Sequence, residues 1–164
     1  VIQLFIALSI VNLACLMAAT GLGYLAGAGG QIGYHTLGGV SATLVCVAVH
    51  CVVMTYFMAT TKWVRYAVAL KRLDPSSAEP TRSFRAQAFP AALVAIAAVF
   101  LAALLGVLTD AYDLRPIWHH IAALLAIAAN IAATFFEGRA IRRNGRLIDG
   151  ILSAIALGHQ QTHK

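Results

Sequence analysis

The side chains able to do chemistry are few, and they stand in apolar surroundings: His35, His50, His119, His120 and Glu137, with Asp110 and Asp113 nearby. Two neutral imidazoles on different helices can ligate one iron from both sides, the arrangement of a b-type haem. His35 on one side and His119 or His120 on the other are the candidates. Gly39, about one turn after His35, would let a porphyrin lie against the backbone. His119 and His120 diverge by about 100° on a helix, so they cannot easily place both rings on one metal. His50 lies about 22 Å further along the same helix as His35. At its level the last apolar segment carries Thr134, so a second two-histidine site needs Met54 or a neighbouring subunit.

Other chemistry fits the same residues. His35, His119, His120, Asp110 and Asp113 would suit copper, zinc or iron if they converged, and a quinone headgroup could be held by a histidine at a membrane boundary. His50 with Glu137 could relay protons or clamp a cation. The plainer expectation is that the outer histidines are satisfied by headgroups and water. On that view His50 bonds Thr134 or Asn130, and Glu137 pairs with Arg139 or Arg142.

These residues fall on stripes. At about 100° per residue, Gly39, Thr43, Cys46, His50, Phe57 and Thr61 all lie within about 80° of His35. On the last segment Asn130, Thr134 and Glu137 lie within about 60° of His119. Polar side chains in hydrocarbon are costly and turn inward, so both stripes are expected to face a shared interior. If the segments alternate in direction, His35 and His119 stand at similar depth near the outer face.

The elements that carry the stripes follow from the charges. Of 164 residues, 60% are hydrophobic and 11% charged, and mean hydropathy is +0.80, which excludes an ordinary soluble domain. No Asp, Glu, Lys or Arg precedes Lys62, none lies between Ala86 and Thr109, and none between Pro116 and Phe136. Four membrane spans are therefore expected, at about 2–27, 35–61, 89–108 and 116–137. They leave no room for a second domain. Gly27 to Gly30 breaks the first span from the second, Pro75 and Pro80 the second from the third, and Asp110 to Pro116 the third from the fourth. The fold expected is an all-α, up-down-up-down four-helix bundle with a cytoplasmic amphipathic helix at about 138–158, where Leu147, Ile148, Ile151, Leu152 and Ile155 recur at helical spacing.

The net charge of +6 belongs to the membrane rather than to nucleic acid. Lys62, Arg65, Lys71, Arg72, Arg82 and Arg85 fall between spans two and three, and Arg139, Arg142, Arg143, Arg146 and Lys164 follow span four. Only Arg115 falls on the other side. The positive-inside rule then puts both termini in the cytoplasm of a bacterial inner membrane. Small residues, including a Gly23–Gly27 step and Gly38, Gly39 and Ser41, should let the helices approach closely. Asn12 and Asn130 read as interhelical glue. Cys15, Cys46 and Cys51 read as free thiols in apolar spans.

No HExxH, GxSxG, P-loop or CxxC occurs, so catalysis by this chain alone is not expected. The leading functional expectation is a small subunit of a bacterial membrane redox complex, holding a b-type haem or a quinone near the outer face. The alternatives are a scaffold or assembly subunit that docks larger membrane partners, and a metal or proton transporter using His50 and Glu137.

Overall fold

The computed structural model describes the backbone of residues 1–162 and the side chains of residues 1–157. It is α-helical nearly throughout, with α1 (Ile2–Gly27), α2 (Ile32–Leu70), α3 (Pro80–Tyr112) and α4 (Pro116–Thr162). All four are long and apolar enough to cross a membrane, as expected of a multi-pass membrane protein. A bilayer offers no water to backbone groups, so a helix, which satisfies its own N–H and C=O groups, is the element such runs must form. Large apolar side chains stay exposed along every helix, among them Leu4, Leu44, Leu101 and Leu125. In lipid that exposure carries no penalty.

Two helix limits differ from the sequence expectation. The third apolar span sits inside a helix that starts at Pro80, and Pro90 lies within it. Pro80 takes the first turn, where its missing N–H is not needed. Pro90 gives up one hydrogen bond, and the long apolar runs on either side carry the helix through it. At the other end, residues 138–158 continue α4 without a break, through both Gly145 and Gly150. Lys164 lies outside the described residues.

The connections are short. Gly29 closes the turn after α1 with φ +97°, and a Cβ on Gly30 would meet the Leu25 carbonyl oxygen at 2.7 Å, so both places require glycine. Asp113 ends α3 in the left-handed region, φ 51°. Between α2 and α3, Pro75–Ala78 forms a 3-10 turn. Asp74 caps it, accepting from the Ser76 hydroxyl at 2.6 Å and the Ser76 backbone N–H at 3.0 Å. Those bonds, the hydroxyl's first, hold its carboxyl below the ordinary aspartate range.

Packing is most extensive within the pairs α1–α2 and α3–α4. The pairs join through α2–α3 and α1–α4, while α2 and α4 touch across the diagonal. The two pairs are built alike. Phe5, Ser9, Asn12, Leu16 and Ala19 are the buried positions of α1, and 83 residues later Ala88, Ala92, Ala95, Val99 and Ala102 are buried in α3. Likewise Ala42, Cys46, Val49, Val53 and Phe57 in α2 correspond, 84 residues on, to buried Ala126, Asn130, Ala133, Glu137 and Ile141 in α4. The chain thus repeats one helix pair, conserving burial register while exchanging side chains.

Small residues permit the close approach, though not all where expected. A Cβ on Gly38 would meet Leu22 Cδ1 at 2.9 Å and Ala19 Cα at 3.7 Å, so α1 and α2 touch there. Gly27 faces nothing within 4 Å, and Gly23 faces a histidine ring rather than a helix backbone. The Gly23–Gly27 step is therefore not a helix-packing seam. Ala42, Ala102, Ala122, Ala126 and Cys46 fill the core near the histidines.

Candidate functional site

His35 from α2 and His119 from α4 meet across the diagonal, with ring centroids 5.7 Å apart and planes at 69°. Each ring is fixed in the same way. His35 Nδ1 lies 3.0 Å from the Ala19 carbonyl oxygen, and His119 Nδ1 lies 2.9 Å from that of Ala102, the equivalent residue of the other helix pair. A carbonyl can only accept, so both Nδ1 atoms carry the proton and donate it. In a neutral ring this leaves Nε2 as a lone-pair donor for a metal, oriented by its anchored opposite nitrogen.

The seats of the rings are also repeated. A Cβ on Gly23 would stand 2.9 Å from His35 Cε1, and one on Gly106 would stand 3.1 Å from His119 Cε1. Replacing Gly23 by Ala is expected to favour the helix by about 1 kcal/mol while pushing the His35 ring off the Ala19 carbonyl. Histidine side-chain NMR would report the loss of that hydrogen bond, with Gly21→Ala as control, because nothing lies within 4 Å of a Cβ there.

His120 stands close by but is anchored differently. Its Nδ1 donates to the Pro116 carbonyl at 2.8 Å, and its ring lies 5.4 Å from Tyr24 and 6.2 Å from His119, centroid to centroid. Gly39 borders open space, with nothing within 4 Å of a Cβ. Among the described residues, no three His, Cys, Asp or Glu side chains form a group able to hold a metal ion. Asp110 and Asp113 therefore do not complete a metal site with the three histidines. Two histidines on one iron need no third protein ligand.

The second constellation is buried between α1, α2 and α4. His50 and Glu137 are each 1% exposed, and His50 Nδ1 lies 2.8 Å from Glu137 Oε1. His50 Nε2 lies 3.1 Å from Asn130 Oδ1, which also accepts from Asn12 Nδ2 at 2.8 Å and from Cys46 Sγ at 3.4 Å. Asn130 Nδ2 donates to the Ala126 carbonyl at 2.8 Å. Glu137 Oε2, Asn12 Oδ1 and Ser9 Oγ are buried with no hydrogen-bond partner among the described residues.

Sequence reasoning gives Asn12 as interhelical glue and Cys46 as a free buried thiol, as found, but not that both contact the Asn130 oxygen that holds His50. It also passed over Asn144, which is buried and donates to Tyr56 Oη and Thr60 Oγ1, each at 3.0 Å. The signal was present: Asn130, Glu137 and Asn144 recur every seventh residue, which returns nearly to the same helix face. Ala19 and Ala102 act through backbone carbonyls and leave no such trace.

Comparison of the chain with protein-family models, curated proteins and solved structures finds no match. The functional reading therefore rests on the geometry of this chain alone.

Proposed function

We propose that the chain is a small electron-transfer subunit of a larger redox complex in the bacterial inner membrane, and that His35 and His119 hold a b-type haem near the outer face. The observation that carries this reading is the pair of carbonyl-anchored imidazoles, presented by diagonal helices with ring centroids 5.7 Å apart. Two imidazoles on one first-row metal, each about 2 Å from it, have ring centres roughly 6 Å apart. The separation of the rings is therefore of the size a shared iron would need, and His35 and His119 would hold it through Nε2. Bound there, the haem would supply one-electron redox chemistry.

This chain's residues do the rest. Ala19 and Ala102 fix tautomer and ring angle, Gly23 and Gly106 give the rings their seats, and the alanine-rich core packs beside the part-buried rings. The tautomer also separates haem from quinone. A quinone carbonyl needs an N–H donor, which Nε2 does not offer while Nδ1 holds the proton.

The orientation belongs to the same proposal. The spans thread up-down-up-down, with both termini and the basic α2–α3 connection in the cytoplasm, as the distribution of Lys and Arg favours. Support for the threading comes from neighbours such as Gly23 with His35 and Gly106 with His119, late residues of one helix beside early residues of the next. The apolar stripe of the C-terminal part of α4 is covered within the chain, where Ile151, Leu147, Ile148 and Ile155 pack with Val64, Ala67 and Val68 of α2, so its role is to brace α2 rather than to float on the membrane surface.

An optical spectrum tests the proposal. The full chain in lipid nanodiscs, as purified and after addition of haemin, is expected to show a Soret band that survives gel filtration and the spectrum of six-coordinate, low-spin iron. Absence of a retained band would leave the scaffold reading in its place.

A further inference from the structure

We propose that the His50–Glu137 pair is a proton-binding site within the membrane-spanning part of the protein, holding a single exchangeable proton. This goes beyond the haem reading and does not depend on it. The argument begins at Asn130. Its Nδ2 donates to the Ala126 carbonyl, so its Oδ1 is the atom that faces His50, Asn12 and Cys46. An amide oxygen only accepts, and His50 Nε2 must therefore carry a proton and donate it.

The contact between His50 Nδ1 and Glu137 Oε1, at 2.8 Å, then requires one further proton between them. Without it, a ring lone pair would face a carboxylate lone pair at hydrogen-bond distance. Whether that proton sits on nitrogen as imidazolium beside carboxylate, or on oxygen as a neutral acid beside neutral imidazole, the loaded pair has no net charge. Release to an aqueous acceptor leaves a neutral ring, still protonated at Nε2, and a carboxylate. The pair's charge falls by one, and the Nδ1–Oε1 contact must open. Reloading reverses both changes.

The repeat within the chain gives independent support. The positions equivalent to His50, Glu137 and Asn12 are Thr134, Val53 and Ala95. The same helix packing is thus made in the other half without these polar groups, so the polar cluster is not a requirement of the packing. Polar groups also continue from Glu137 along α4 to Asn144, with Tyr56 and Thr60, about 10 Å away.

Among the described residues, the groups bonded around the pair are Asn12 of α1, which does not titrate, and Cys46 of α2, both on the Asn130 oxygen. The buried positions of α1 and α3 nearest in register are Ser9, Ala88 and Ala92, with Arg85 the nearest charged residue of α3 in sequence. α4 carries Arg139 and Arg142 beyond Glu137.

Infrared difference spectra between acid and alkaline buffer, recorded on the full chain in phosphatidylcholine bilayers without haem, test the proposal. The native chain is expected to show the bands of one carboxyl–imidazole proton in addition to those of its exposed carboxylates. Glu137→Gln should lose that component while keeping its helical circular dichroism. Asn12→Ala, which removes a donor to Asn130 but no titrating group, should retain the component with a shifted midpoint. Coincident difference spectra for the native chain and Glu137→Gln would overturn the proposal, whatever the outcome of haem binding at His35 and His119.

Discussion

Alanine at either His35 or His119 is expected to weaken haem retention by on the order of 100-fold or more, since loss even of a metal ligand's outer hydrogen-bond partner typically costs 10–100-fold. His120→Ala should leave binding within a fewfold of native. The three histidines are near neighbours, so proximity alone does not separate them. Their anchors do. His35 and His119 are held by carbonyls of the preceding helix, at matching places in the two helix pairs, whereas His120 donates to its own helix and lies beside Tyr24. Haem-to-protein ratios after gel filtration measure the effect. Imidazole in the buffer should restore a low-spin spectrum to His35→Gly by filling the emptied position. Equal losses in all three alanine variants would mean that the end of the bundle had collapsed rather than that two ligands had been identified.

Glu137→Val is expected to destabilise the protein by about 3–5 kcal/mol, the usual result of removing one partner from a buried pair. It leaves His50 Nδ1 facing an apolar side chain in a site from which water is excluded. The internal repeat supplies the compensating change. Val53 and Thr134 occupy the positions equivalent to Glu137 and His50, so adding His50→Thr to Glu137→Val makes the second half's solution in both halves. The double variant should recover most of the loss, because replacing both members of a buried pair often costs little. Reversible unfolding by detergent titration would give both values and their coupling. A double variant no better than Glu137→Val would mean that Asn130 and Asn12 depend on the pair for their own placement.

The architecture was legible where the physics is one-dimensional. Gaps in charge mark apolar helices directly, because an unpaired Lys or Glu in hydrocarbon is costly enough to be rare. The two polar stripes were also readable, since helical periodicity alone puts His35 and His50 on one face and Asn130 and Glu137 on another. Fine features of the sites were not. A carbonyl at Ala19 or Ala102 is the same chemical group as at any other residue, and only the distance to a ring makes it an anchor. The repeat stayed hidden for a related reason: Phe5 corresponds to Ala88 and Asn12 to Ala95, so what recurs is burial register rather than residue identity. The start of α3 is less legible than the apolar span at 89–108, because Pro80 already supplies a first helical turn and the helix runs on through Pro90.

The uninterrupted length of α4 has a mechanical consequence. At 47 residues it measures about 70 Å, more than twice the roughly 30 Å of a bilayer's hydrocarbon. It does not stand free beyond that thickness, because Ile151, with Leu147, Ile148 and Ile155, packs against Val64, Ala67 and Val68 of α2. The two helices therefore run on together as one braced stem, stiffer than either would be alone.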